Sequence, residues 1–324
     1  MIRPSVYRPA KWLRGPHAMT IWPAIGRGRI PLSTRAERFE LPDGDFVDLA
    51  WIGDPGPKAP VTAIFHGLEG SIDSSYVRGI GRAIAARGWR AVLMHFRGCS
   101  GEPNRLPRGY HAGDTADVRV FLLELKRRYP EAPLGAVAYS LGGNVLLKYL
   151  GEEGDAGVLN AAVAVSVPMM LSPCSQRLQR GFSRVYDRWL LTSLKAHVRR
   201  KRERMPHSVP LDDRVLDRIK TLWDFDEHIT GPVHGFAGAE DYYARSSSRP
   251  YLARIAVPTT IVQAKDDPFM TEAVLPEARE LSPTVTLELS EHGGHVGFVS
   301  GPIHAPIHWL ETRIPELLAE TLER

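Results

Sequence analysis

Cysteine is scarce in this chain. Cys99 and Cys174 are the only two among 324 residues, with no C-x-x-C and no paired spacing. That excludes a disulfide scaffold and fits a reducing compartment. Long apolar runs are also missing. No segment reaches about eighteen consecutive apolar residues, so no membrane-spanning helix is expected. The N-terminal stretch MIRPSVYRPAKWLRGPHAMTIWP lacks the continuous apolar core of a signal peptide. A soluble, cytoplasmic protein is the expectation. Internal repeats and low-complexity tracts are absent. No strong charge excess exists either: 41 Lys and Arg stand against 37 Asp and Glu, a net charge of +4. Its strongest local source is KAHVRRKRER, residues 195–204. Such a run reads as a solvated helix face, or as a patch meeting phosphates on lipid headgroups. No stacking aromatics are interleaved with it, which argues against nucleic acid. Weak peripheral membrane contact through 195–204 is the partner expectation, with no nucleic acid and no obligate protein partner.

What is present is an alternation. With 43% apolar residues, the chain can bury a large core. The first thirty residues carry prolines, aromatics and basic residues without periodicity, and read as an extended arm on the main body. ERFEL, around residues 38–41, and DFVDLAW alternate like half-buried antiparallel strands about a PDGD turn. The rhythm then changes to short, continuous apolar runs separated by helical patterns. VTAIF (61–65), WRAVLMH (89–95), LGAVAY and AAVAVSV (161–167) are the runs. RGIGRAIAARG, ADVRVFLLELKRRY and NVLLKYLGEEG lie between them. This predicts an α/β fold with a mostly parallel central sheet and helices on both faces. After Pro168 the alternation stops, and LQRGFSRVYDRWLLTSLKAHVRRKRER and VLDRIKTLWDFDEHI read as helices. It resumes at PTTIVQA (258–264) and VTLELS (285–290), before the amphipathic IHWLETRIPELLAETLE. The expected organisation is an arm over 1–35, one core over 36–168 and 251–324, and a helical cap insertion over 169–250.

The corner between LGAVAY and NVLLKYL holds Ala138-Tyr139-Ser140-Leu141-Gly142. A strand turning sharply into a helix needs small neighbours, and G-x-S-x-G meets that need while exposing the serine. Here Ala replaces the first Gly, a small intrusion. A bland alternative makes Ser140 a turn residue or N-cap. A nucleophilic serine needs a base, and the base an orienting acid, in the order Ser, Asp, His. AKDDPF supplies Asp267, with Asp266 as runner-up. SEHGGHVGF supplies His295, with His292 as runner-up. Metal readings are weak. His292-x-x-His295 lacks a third ligand, and His304 and His308 lack a following Glu and are separated by Pro306. The loop FHGLEGS, residues 65–71, offers the second of two oxyanion donors. The pair is the backbone N–H of Leu68 and of Leu141. Gly67 and Gly142 allow close approach, and His66 braces the loop.

FHGLEGS, HFRGCSGEPNRLPRGYHAGDTADV, AYSLGGN, AKDDPF and HGGHVGF resemble the YheT-like branch of the α/β-hydrolases, which includes animal abhydrolase-domain esterases and lipases. The N-terminal YRPAKWLRGPHAMTIWP is similar to that family's arm. The resemblance implies an α/β-hydrolase fold and carboxylic ester hydrolysis on Ser140, Asp267 and His295. No metal or organic cofactor is called for. In the cap, Phe182, Trp189, Leu190 and Leu191 either line an acyl pocket or pack the cap onto the sheet. Two rivals stay open. One is an acyltransferase, for which His207 and Asp212 have an H-x-x-x-x-D spacing interrupted by Pro210. The other is a binding protein that has lost chemistry.

Overall fold

The computed structural model describes residues 1–28, 30–206 and 213–324. His207 and Asp212 therefore lie outside the described residues. Strand β1 (Ile2–Pro4) and helix α1 (Pro16–Ile25) come first. The antiparallel pair β2 (Arg35–Glu40) and β3 (Phe46–Ile52) follows. Then come β4 (Val61–Phe65), α2 (Ser75–Ala86), β5 (Arg90–Met94), α3 (Ala116–Arg128), β6 (Leu134–Tyr139), α4 (Leu141–Glu153) and β7 (Ala161–Val165). A helical segment follows: α5 (Leu171–Leu178), α6 (Arg184–Arg204), α7 (Asp213–Arg218), α8 (Leu222–Phe225), α9 (Gly231–Val233) and α10 (Ala239–Ser246). The chain closes with β8 (Thr259–Ala264), β9 (Val285–Ser290), the short hairpin β10 (Val299–Ser300) and β11 (Ile307–His308), and α11 (Leu310–Leu322).

Nine strands form one sheet in the order β1-β9-β8-β7-β6-β4-β5-β3-β2. From β1 to β5 every neighbouring pair is parallel; β3 alone runs against the rest, pairing antiparallel with β5 on one side and β2 on the other. The central strands are buried along their whole length. This is why they read as continuous apolar runs rather than alternating ones. Side-chain alternation splits the core in two. Val61, Ala63 and Phe65 point with Ala136 and Ala138 towards α3 and α4. Ile64, Val137, Tyr139 and Val163 point towards α2 and α11.

Three expectations need correction. The N-terminal arm is not merely extended. Ile2–Pro4 adds a parallel edge strand on β9, and Pro16–Ile25 forms a helix. The stretch 178–204 is not one helix. Arg180 is extended and Gly181 has φ +53°, so the chain turns between α5 and α6. The stretch 215–229 breaks at Thr221, whose side chain accepts from the Asp224 N–H in a reciprocal capping box that starts α8. No helix among the described residues is long and apolar enough to cross a membrane.

Candidate active site

Parallel strands all end at the same edge of the sheet, and loops leaving that edge converge. Strands β4, β6 and β8 release the 66–71 loop, Ser140 and the Asp266-Asp267 turn there, and β9 releases the loop carrying His295. Because Phe65 pairs with Ala138, the loop holding Leu68 starts beside the corner holding Ser140.

At that corner Ser140 has φ +50° and ψ −120°, a conformation that a non-glycine residue adopts only when its surroundings enforce it. The enforcement is visible. The Ser140 N–H donates to the Val165 carbonyl at 2.9 Å, and its carbonyl accepts from the Asn144 N–H at 3.1 Å. Gly142 has no alternative: a Cβ there would sit 2.4 Å from the His66 carbonyl oxygen. Ala138 is fully buried within β6 and is accommodated. Leu141 is the first residue of α4, where the backbone N–H has no helical acceptor. Neither its N–H nor that of Leu68 meets a backbone acceptor among the described residues.

Three side chains form one hydrogen-bonded row. His295 Nε2 lies 2.9 Å from Ser140 Oγ, and His295 Nδ1 lies 2.8 Å from Asp267 Oδ2. Asp267 is 3% exposed, and its other oxygen accepts from the Phe269 N–H at 2.8 Å. The runners-up form a separate pair on the outside. His292 Nδ1 lies 3.2 Å from Asp266 Oδ2, and the Gly294 N–H donates to Asp266 Oδ1 at 3.0 Å. The structure thus brings Asp267 and His295 to Ser140, and leaves Asp266 and His292 to shape the loop. His304 and His308 share no helix; His308 lies in β11 and stacks on Trp22.

The 66–71 loop is clamped from both sides. The Phe96 N–H donates to His66 Nε2 at 3.0 Å, which leaves the proton on Nδ1 to donate to the Gly67 carbonyl at 2.7 Å. Burial holds His66 down to about 3, so it stays neutral. Gly67 donates to the Tyr76 hydroxyl at 2.9 Å, and a Cβ on Gly67 would press on the Ser140 Cβ. Sequence reasoning missed Glu69. Its φ is +56° and its N–H donates to the Tyr110 hydroxyl. Its carboxylate accepts from Ser193 Oγ at 2.7 Å and lies 3.2 Å from His197 Nδ1, both on α6. Those hydrogen bonds hold its carboxyl below the usual range despite burial. The segment after β5 that positions Tyr110 is itself pinned. Arg97 makes a bidentate pair with Asp117 and reaches Asp45 at 2.8 Å.

Glu69, Cys99 and His197 are the one group of metal-capable side chains among the described residues, with ligand atoms within 4.8 Å. They fit a metal poorly. The carboxylate already has partners, and burial pushes the Cys99 thiol up, away from the thiolate a metal requires.

Ser140 and His295 open into a cavity of about 550 Å³, walled mostly by apolar side chains. The helical segment roofs it with Trp189, Leu190 and Leu194 of α6 and Leu171 and Leu178 of α5. Phe182 lies outside this lining, half exposed against the His17 ring, and Leu191 packs inside the helical segment. Helix α1, missed in the sequence, supplies Ile21, Ala24 and Ile25, and Thr20 Oγ1 accepts the His295 N–H at 2.9 Å. The basic run is largely used internally. Lys195 donates to the Ile219 carbonyl, Arg199 pairs with Asp217, Arg204 with Glu102, and buried Lys201 donates to Asn104.

Comparison with known proteins agrees with this architecture. The family model described as alpha/beta hydrolase fold matches residues 63–302. The chain is 47% identical over 317 residues to the protein of Escherichia coli (strain K12) named "Putative esterase YheT", covering 97% of this chain and 93% of that one. It is 28% identical to the Homo sapiens protein named phospholipase ABHD3, covering 92% and 74%. The solved Pyrococcus furiosus esterase Pf2001 superimposes with a TM-score of 0.58 at 16% identity, over 99% of this chain and 98% of that one. The chain belongs to the α/β-hydrolase family, in its YheT-like branch.

Proposed function

We propose that the protein hydrolyses carboxylic esters through an acyl-enzyme on Ser140. The observation that carries this is the row Asp267–His295–Ser140 ending in a largely apolar cavity. His295 takes the Ser140 proton as Oγ attacks the ester carbonyl carbon. The N–H groups of Leu68 and Leu141 receive the developing oxyanion, each worth about 3 kcal/mol of barrier. Collapse of the tetrahedral intermediate breaks the C–O bond, and His295 passes its proton to the departing alkoxide. Water then loses a proton to His295 as it attacks the acyl carbon. A second collapse returns that proton to Ser140 and frees the acid. Asp267 holds His295 in the tautomer that presents a bare Nε2 and stabilises its cation. The apolar walls suit an acyl chain.

Fluorophosphonate labelling of wild type and Ser140→Ala, followed by p-nitrophenyl esters from acetate to palmitate, tests the reading. Labelling confined to the wild type, with turnover, is expected. Labelling or full turnover in Ser140→Ala would sink it. An acceptor alcohol that outcompetes water would convert the reading to an acyltransferase. An unlabelled, inert serine would convert it to a binding protein.

A further inference from the structure

The cavity contains a second polar group that the ester chemistry does not use. Asp226 lies on its wall, together with Ser175, Thr230, Tyr242 and Tyr243. Asp226 is partly buried where it lines the cavity. No cation pairs with it among the described residues; the charge acting on it is that of Asp187, which is also negative. Its partners are hydroxyls. Tyr243 donates to Asp226 Oδ2 at 2.7 Å, and the Thr230 side chain also bonds to it. Tyr243 has one proton and gives it to the carboxylate, so the 3.1 Å contact with Ser175 is a bond it accepts. The backbone at this point is a π-helical turn over 226–230, closed by the Gly231 N–H on the Asp226 carbonyl. Such turns are frequent at functional sites.

An unpaired carboxyl in an apolar chamber is costly to maintain. Its two hydroxyl partners, Tyr243 of α10 and Thr230, leave part of its bonding capacity unused on a residue that also lines the open cavity. Largely apolar sites fix their ligands with a few placed polar groups, and this one has lone pairs to spare beyond its two hydroxyl partners. We propose that Asp226, with Tyr243 and Thr230, forms a second subsite of this cavity that takes a hydroxyl group carried by the substrate away from its reacting ester. A hydroxyl suits it better than a cation. Burial raises the Asp226 carboxyl to about 6, so a protonated fraction persists close to neutral pH, and a hydroxyl can donate to the ionised form and accept from the neutral one. The proposal rests on the reading of this cavity as the ester site.

Non-hydrolysable ethers test it without requiring turnover. One pair is octylglycerol ether and its di-O-methyl derivative, which differ in hydroxyls on the alcohol side. The other is octanediol monomethyl ether and methyl octyl ether, which differ at the far end of the chain. Binding is read by calorimetry and by protection of the protein from fluorophosphonate. In at least one pair the hydroxylated member should bind wild type about tenfold tighter or more. The pair that shows the difference identifies which side of the ester reaches Asp226. The difference should vanish in Asp226→Leu, an apolar side chain of comparable size, and shrink in Asp226→Asn, which keeps an acceptor. Equal affinity within both pairs, or a preference undiminished in both variants, overturns the proposal. Failure of the ester reading shows separately, as a Ser140 that does not label.

Discussion

Phe269 lies flat against the imidazole of His295, with ring centroids 3.9 Å apart and planes 4° from parallel. The same residue donates its N–H to Asp267. One position therefore holds both the base and the acid of the proposed triad. An aromatic pair of this kind is worth about 0.5–1.5 kcal/mol beyond area burial. Phe269→Leu keeps the N–H and most of the volume but removes the ring. It should lower kcat about 2- to 10-fold with little change in KM, and slow fluorophosphonate labelling in parallel. Unchanged kcat would show that the ring does not orient the base.

The adjacent aspartates should behave oppositely. Asp267→Asn should lower kcat by about 10⁴, because the amide favours the wrong histidine tautomer. Asp266→Asn, on the exposed pair with His292, should retain most activity. Steady-state kinetics on one p-nitrophenyl ester settles the order, and the reverse ranking would exchange their roles.

Glu69 follows directly after one proposed oxyanion donor and ties that loop to α6 through Ser193 and His197. Glu69→Gln weakens the tie while keeping the side chain's shape. Displacing a donor without removing it should cost part of the 10²–10³ seen for outright loss, about tenfold in kcat. KM for a short ester should barely move. A change confined to KM would make Glu69 a cap-packing residue instead.

Asp226 carries a pH signature in stability. Its folded value is raised from 3.8 to about 6, so between those values the native state holds more protons than the unfolded chain. Unfolding free energy then falls as pH rises through the window, and this group's contribution is lost above it. Wild type should lose at most about 3 kcal/mol relative to Asp226→Asn between pH 3.5 and 7.5. Urea titrations of both proteins at the two pH values read the difference, and parallel pH curves would contradict it.

The cavity mouth is flanked by exposed apolar side chains: Ile25 at 79%, Trp189 at 69% and Val185 at 51% exposure. The basic run 195–204 has most of its charges engaged within the chain. Any association with anionic vesicles should therefore depend on the mouth. Trp189→Ser should reduce co-sedimentation more than Arg200→Ala at low salt, and the opposite result would return the contact to the basic run.

Much of this molecule is legible in its residues because buried parallel strands leave a strong mark. VTAIF, LGAVAY and VTLELS coincide with β4, β6 and β9 residue for residue. The strained corner at Ser140 is legible as well, since only small neighbours allow it. Other parts left weaker marks. A three-residue strand such as β1 has no period to detect. In α1, Pro16 at the first helical position is a helix-start signal, but Pro23 within the same helix argues against one. Gly181 would have divided the long helical stretch had its positive φ been foreseen. The choice between Asp266 and Asp267, or His292 and His295, depends on which side of a loop faces inward, and tertiary packing alone decides that. Asp226 and Glu69 look like ordinary surface acids until the chain folds around them.

Strand β1 pairs with β9 across some 285 positions: Ile2 lies beside Leu287, and Pro4 beside Leu289. Helix α1, from the same early stretch, holds the loop that carries His295. Contacts so distant in sequence form late. On the ribosome, where the N-terminal side emerges first, residues 2–25 must wait for the strand and loop they seat. Ser140 would meet His295 only when nearly the whole chain has emerged, so a nascent or truncated product would carry the proposed nucleophile without its proposed base.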